Sequence, residues 1–366
     1  MTKMYAKATE NLSNQKIINS IFNFNFPSLV KKIKQTNDNS YLIAYGEYPP
    51  QIRCFDLYNL SLKFQRTINC EINDFEIISQ NWEKLILLRS DKFLEFHSKS
   101  GYYYQVKIPD IANSLFFDNL SKILYIFSIN NEIYRFNVEE GKFISSILSN
   151  LDYYNTSSAK SLLGDCLGLG NSRGLVELWD FKFSKKPVST IDGLIYLKKK
   201  KKNYVSYLNF CEKATYKIYS GYSSGDIIIF DLRNLSPIIS KKIGINDSII
   251  KIQNNQINNL ILSANKQIIK LWNEKSGNTI ITLDQTKKIN DICPVKNTGF
   301  IFISTIDPHV NCIYVPLLGP PPVWCYNLNN KKSKNFKKIF IPSKIAENYD
   351  KKIKINTCLD KLINYI

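Results

Sequence analysis

One short pattern returns seven times along the chain: an apolar run ending in an aromatic residue and a polar one, followed by a polar turn. The pairs are Phe55-Asp56, Phe96-His97, Phe136-Asn137, Trp179-Asp180, Phe230-Asp231, Trp272-Asn273 and a degenerate Tyr314-Val315, with second residues 41, 40, 43, 51, 42 and 42 positions apart. A period of roughly 40–45 residues is that of one four-stranded propeller blade, so seven pairs predict seven blades. Each repeat resolves into short strands of β-branched and apolar residues with tight turns between them, as in Leu260 to Leu283. Gly101, Gly141 and Gly277 end such turns, where a positive φ is needed. The aromatic at the end of each third strand is read as the side chain that fills the space between blades, which puts Trp179 and Trp272 in the core. The chain is therefore predicted to be all-β: a seven-bladed WD-repeat β-propeller over residues 26–326 with a short basic C-terminal tail, 327–366. Residues 1–25 form an N-terminal segment. A strand around Lys3 to Lys7 is the candidate for completing the seventh blade, because closure by a terminal strand removes an open sheet edge.

The chain has 366 residues, 49 Lys and Arg against 31 Asp and Glu, and a net charge of +18. The excess is nearly all Lys, in a sequence also rich in Ile and Asn, so part of it follows from composition bias. The field it creates still favours nucleic acid or acidic surfaces. The 51-residue interval holds five consecutive lysines, Lys198, Lys199, Lys200, Lys201 and Lys202. Such a run belongs in a loop near 198–203 and has two readings, a solvated loop or a contact with RNA phosphates or an acidic partner. Tyr196 and Tyr204 beside it are candidates for stacking on bases.

Eight cysteines are scattered singly, without a Cys-x-x-Cys pair, which argues against zinc and for reduced thiols in an intracellular protein. The glycines from Gly164 to Gly170 fall in a strand and turn rather than ahead of a helix, so their likeness to a dinucleotide loop is spurious. His97 and His309 are single and are read as turn residues rather than general bases. No catalytic constellation, cofactor motif or small-molecule site is recognised, and the reading is that of a non-enzyme. Neither a signal peptide nor a membrane span is expected.

Individual segments go beyond the generic repeat. Ile43 to Arg66 carries the Arg53-Cys54-Phe55-Asp56 third strand, Phe93 to Pro109 an aromatic-His97-Ser-x-Ser-Gly101 turn, Asn131 to Phe143 a further third strand, and Tyr314 to Cys325 a Leu-Gly319-Pro320-Pro-Pro-Val-Trp324-Cys325 exit. Over about residues 36 to 326 the sequence resembles the nucleolar protein 10 family, also called essential nuclear protein 2. The resemblance implies a nucleolar propeller of the small-subunit processome, a scaffold that meets ribosome-assembly proteins and pre-ribosomal RNA. It also implies a chain shortened at both ends, since family members carry a basic helical segment before the ring and a long charged extension after it. The competing reading is a generic WD-repeat adaptor in another nuclear complex, which has no reason to carry the His97 turn or the Trp324 exit.

Overall fold

The computed structural model describes residues 5–8, 18–20, 24–149, 155–161, 166–180, 186–197, 203–212, 214, 216–244, 247–255 and 258–324. They form seven antiparallel sheets, whose first four strands in blades 1 to 6 and first three in blade 7 run in chain order from the innermost outward. Blade 1 is Val30–Gln35, Tyr41–Gly46, Gln51–Asp56 and Ser61–Thr67, and blade 2 is Ile72–Ile77, Leu85–Arg89, Phe93–Ser98 and Gly101–Lys107. Blade 3 is Ala112–Phe117, Ile123–Ser128, Glu132–Asn137 and Lys142–Leu148, and blade 4 is Asn155–Lys160, Cys166–Asn171, Leu175–Asp180 and Ser189–Asp192. Blade 5 is Val205–Phe210, Lys217–Tyr222, Asp226–Asp231 and Ser236–Lys242, and blade 6 is Ile249–Asn255, Leu260–Asn265, Ile268–Asn273 and Thr279–Asp284. Blade 7 comprises Ile289–Pro294, Phe300–Thr305 and Val310–Tyr314, with Ile18–Ser20 as its outer strand.

The N-terminal stretch thus pairs with two blades. Tyr5–Ala8 adds a fifth strand to blade 6, Tyr5 opposite Asp284, whereas Ile18 lies opposite Tyr314 on blade 7. The strand expected near Lys3 to Lys7 therefore sits on the sixth blade rather than the seventh. Its weak alternation gave no register, and the three-residue strand that borders blade 7 is too short to announce itself by pattern.

Second strands are covered on both faces and so show no alternation in burial: every residue of Leu85–Arg89 and Leu260–Asn265 is buried. Outer strands such as Gly101–Lys107 alternate, with Tyr103 exposed. The core is correspondingly divided into seven apolar clusters, one at each junction between neighbouring blades. Phe55, Phe136, Trp179, Phe230 and Trp272 all pack toward the preceding blade. Gly168 and Gly170 lie where the first strand of blade 5 presses on blade 4, and a Cβ on Gly170 would stand 2.7 Å from Val205.

Two repeat anchors fall one residue out of step. In blade 2 the side chain facing the preceding blade is His97, and Phe96 faces blade 3, where it packs on Phe136 at 5.7 Å between ring centroids. In blade 7 Ile313 faces blade 6, while Tyr314 joins the cluster at blade 1. Strand side chains alternate with period two, so an aromatic shifted by one position changes sides.

Candidate functional site

The innermost strands share one device. In all seven the pairing register slips after the first residue: between Val30 and Lys32, Ile72 and Asp74, Ala112 and Ser114, Asn155 and Ser157, Val205 and Tyr207, Ile249 and Lys251, and Ile289 and Asp291. A bulge re-aims the residues beside it, and here polar side chains cross to the next blade. Lys32 Nζ lies 3.1 Å and Lys34 Nζ 3.5 Å from Asp74, and Lys34 also pairs with Glu76. Asp74 then accepts the backbone N–H of Leu115 on blade 3 at 3.1 Å, while Asn73 donates to the Ala112 carbonyl at 2.9 Å. Ser114 and Ser158 join blades 3 and 4 at 2.7 Å, and Thr156 donates to Val205 O at 2.5 Å between blades 4 and 5. Asn209 donates to Ile252 O at 2.9 Å, and Lys251 meets Asp291 at 3.2 Å. Asp291 accepts from Ile33 N at 3.1 Å and Asn290 donates to Val30 O at 2.9 Å, which closes the ring from blade 7 to blade 1.

The centre of the disc is thus a polar belt in which every junction carries a link. Burial alone would raise the Asp74 carboxyl, but Lys32, Lys34 and the Leu115 N–H outweigh it and hold it below the usual carboxylate range. Lys34 is correspondingly held charged by Asp74 and Glu76 against the cost of its burial. These residues were not singled out from the sequence. The signal was present as an internal repeat, Ile72-Asn73-Asp74-Phe75 and Ile289-Asn290-Asp291-Ile292, whose two polar residues make the same pair of inter-blade bonds.

The His97 turn is a latch rather than a loop. His97 is buried inside the third strand of blade 2, its Nε2 3.3 Å from Glu95 Oε2 and its Nδ1 3.4 Å from Arg66 Nη1 of blade 1. Arg66 also donates to the carbonyls of Ser98 at 2.9 Å and Lys99 at 3.0 Å. Glu95 accepts from Arg89, which also donates to Asp91. Burial works to raise the Glu95 carboxyl, yet the His97 bond and Arg89 together keep it low. Gly101 ends the turn at φ +136°, as the hairpin reading requires. His97 is therefore a strand residue between two blades, not the turn residue its isolation suggested.

Arg53 and Trp324 face the seam between blades 7 and 1, while Gly319 and Pro320 lie against Thr298 and Gly299 of blade 7. Arg53 donates to the Asn25 carbonyl and lies 5.1 Å over the Phe26 ring. The exit segment turns at Pro316–Leu318, Gly299 N donates to Pro320 O at 3.0 Å, and Trp324 lands buried 5.1 Å from Phe300 and 6.2 Å from Phe302. A side chain on Gly299 would stand 2.4 Å from Val315 O, so only glycine lets the exit lie there. Cys54 alternates to the other face, in the cluster between blades 1 and 2, where burial and Asp56 push its thiol up to about 12. Asp56 and Asn137 cap their turns by accepting from the N–H two residues on, at 2.9 and 3.0 Å, and Asp231 does the same for Arg233 at 3.0 Å.

Lys198 to Lys202 and Cys325 lie outside the described residues, as does the tail 327–366. In sequence the run lies between the turn Leu194–Leu197 and Val205, which opens blade 5, and Tyr196 and Tyr204 on either side of it are 41% and 42% exposed. His309 bonds Asn25 at 2.8 Å beside the closing strand. Among the described residues no cluster of three His, Cys, Asp or Glu is placed to hold a metal, and no helix is long and apolar enough to cross a membrane.

The family model described as Nucleolar protein 10-like, N-terminal domain, matches residues 2–333. The chain belongs to this family. It is 33% identical over 325 residues to Ribosome biogenesis protein ENP2 of Saccharomyces cerevisiae, covering 87% of this chain and 45% of that protein. To Nucleolar protein 10 of Homo sapiens it is 31% identical over 318 residues, 86% of this chain and 46% of the relative. The chain spans less than half the length of these curated relatives. Among solved structures it is similar to Raptor of Chaetomium thermophilum, with a TM-score of 0.70 at 12% identity over 82% of this chain and 29% of that one, a likeness of fold alone.

Proposed function

We propose that this chain is a non-catalytic scaffold in ribosome biogenesis. It works in the nucleolus as part of the small-subunit processome, holding ribosome-assembly proteins and small-subunit pre-rRNA. The observation that carries this reading is family membership across residues 2–333, with a yeast relative named as a ribosome biogenesis protein. The architecture supports it. A ring cross-linked at every junction by inner-strand polar contacts presents two faces and a rim in fixed geometry, which is what holding several partners at once requires. The signature residues Arg53, His97, Gly319, Pro320 and Trp324 act through this frame by locking junctions, and partner contacts fall to exposed loops. Lys198, Lys199, Lys200, Lys201 and Lys202 are proposed as one such contact with RNA phosphates.

Depletion of the protein in its own cells tests the reading. Unprocessed small-subunit precursor should accumulate on northern blots while large-subunit rRNA is maintained. An unchanged precursor-to-product ratio would overturn it in favour of an adaptor elsewhere in the nucleus.

A further inference from the structure

Charge is unevenly divided around the ring. Residues 24–149, blades 1 to 3, carry 14 Lys and Arg against 14 Asp and Glu, whereas residues 150–324, blades 4 to 7, carry 22 against 13. Most partly buried lysines of the described residues meet a carboxylate, as Lys92 meets Asp110, Lys160 Asp118, Lys217 Glu274 and Lys251 Asp291. Three have none within ion-pair distance among the described residues: Lys266, and Lys241 and Lys270, which face each other across the seam between blades 5 and 6. Lys241, on the outer strand of blade 5, lies 4.8 Å over the Trp272 ring and donates to the Gly277 carbonyl. Lys270 precedes Trp272 by two residues on the same strand and so shares its face. Burial and the Lys270 ammonium bring Lys241 down to about 8, the behaviour of a cation lacking a counter-charge. Beside the seam is a cleft of about 300 Å³ lined by Lys217, Ile229, Ile238, Ile239, Glu274 and Lys275.

The neighbouring surface offers a flat group. Arg233 stacks on Tyr216 at 4.0 Å and is held there by Asp231 at 2.8 Å, and Lys217, which lines the cleft, is 5.8 Å from the same tyrosine ring. Ammonium groups without a carboxylate partner, with an exposed aromatic and guanidinium pair on the same blade, suit a strand of alternating phosphates and bases. An acidic peptide would use the lysines but has no flat group for the stack.

We infer that the seam between blades 5 and 6 is a phosphate-binding site at Lys241 and Lys270, and that its occupant is the backbone of single-stranded RNA with a base on Tyr216 and Arg233. The inference rests on the scaffold reading and adds the surface and the ligand chemistry.

The test is fluorescence anisotropy of the full chain with a labelled uridine dodecamer across a salt series. Lys241→Met with Lys270→Met, which keeps the apolar stems, should weaken binding about ten-fold and flatten the logarithmic salt slope by about 1.4, two contacts at roughly 0.7 each. Tyr216→Ala should weaken binding about ten-fold with the slope unchanged, since stacking releases no counterions. Lys63→Met with Lys107→Met, on the outer strands of blades 1 and 2, should do neither. Inorganic phosphate should compete with the RNA in the unaltered protein and less well in the lysine variant.

Unchanged affinity and slope in the lysine variant would overturn the site. An oligoglutamate of equal charge that binds as tightly, and loses as much on the same substitutions, would overturn RNA as the occupant. If the lysine variant fails to fold, crosslinking a 4-thiouridine dodecamer to the unaltered protein decides. Adducts at Tyr216 or within 270–278 support the site, and adducts confined to blades 1 to 3 overturn it. Either negative result leaves the depletion experiment free to succeed, so failure of the site and failure of the scaffold reading are told apart.

Discussion

Replacing Asp74 by Asn removes one charge from the central belt while keeping its shape. Asp74 is nearly buried and bonds three groups from two other blades: Lys32 at 3.1 Å, Lys34 at 3.5 Å and the Leu115 N–H at 3.1 Å. Two unit charges about 4 Å apart interact by about 4 kcal/mol at an effective dielectric of 20, but desolvation offsets much of this. The lysines are about one-third exposed to the channel, with side-chain accessibilities of 32% and 31%, so solvent screens them further. Glu76 still compensates Lys34. The net cost of Asp74→Asn is then about 2 kcal/mol. Asp74→Ala adds the unsatisfied Leu115 N–H, about 1–2 kcal/mol more. With an unfolding entropy near 2.1 cal/mol/K per residue over about 300 residues, 1 kcal/mol corresponds to roughly 1.6 °C. Asn should therefore lower Tm by about 3 °C and Ala by about 5–6 °C in differential scanning calorimetry at pH 7. The sign of the pH dependence follows from the depressed carboxyl of Asp74. Its contribution is complete above the unfolded value near 3.9 and is lost as pH falls through the lower folded value. The gap between the native protein and Asp74→Asn should hold from pH 7 to 5 and narrow toward pH 3. Equal melting temperatures at pH 7, or a gap that stays constant to pH 3, would refute the argument.

Trp179 is fully buried and its Nε1 donates to Glu177 at 3.0 Å, so Trp179→Ala should cost about 3–5 kcal/mol through a cavity between blades 3 and 4, read as a lower Tm; an unchanged Tm would remove it from the core. Burial raises the thiols of Cys54, to about 12, and Cys166, to about 11. Both should resist iodoacetamide at pH 8 in the folded protein and react after denaturation, as peptide mass spectrometry will show. Of the described residues, deleting 1–17 removes the fifth strand of blade 6, whereas deleting 1–20 also exposes the edge of Val310–Tyr314. The longer deletion should aggregate and melt lower than the shorter one, and equal behaviour of the two would mean that Ile18–Ser20 does not protect blade 7.

Blade number was legible because each third strand ends on a buried side chain that must fill the same space, and that demand recurs at one period. Two details escaped for the same physical reason. An aromatic at Phe96 or Tyr314 is equally at home one position away, facing the other neighbour, and only the packing partners decide which face is meant. The N-terminal strands are four and three residues long, too short to show a period in the sequence. The belt of Asp74, Asp291 and their partners was harder to see. Polar residues in strands read as solvent-facing, and their role appears only when neighbouring blades are packed side by side in the ring. The signature at Arg53, His97, Gly319 and Trp324 was visible as residues that ordinary repeats do not need, but its meaning as two junction locks depends on contacts between segments far apart in sequence. The lysine run is the reverse case, plain in the sequence and beyond the described residues.

Purification of the tagged protein from its own cells at moderate salt, with sequencing of the bound RNA and identification of the bound proteins, tests the central claim most directly. Enrichment of small-subunit pre-rRNA together with ribosome-assembly proteins is the result expected of a processome scaffold. Recovery of a stable complex containing neither would contradict that claim.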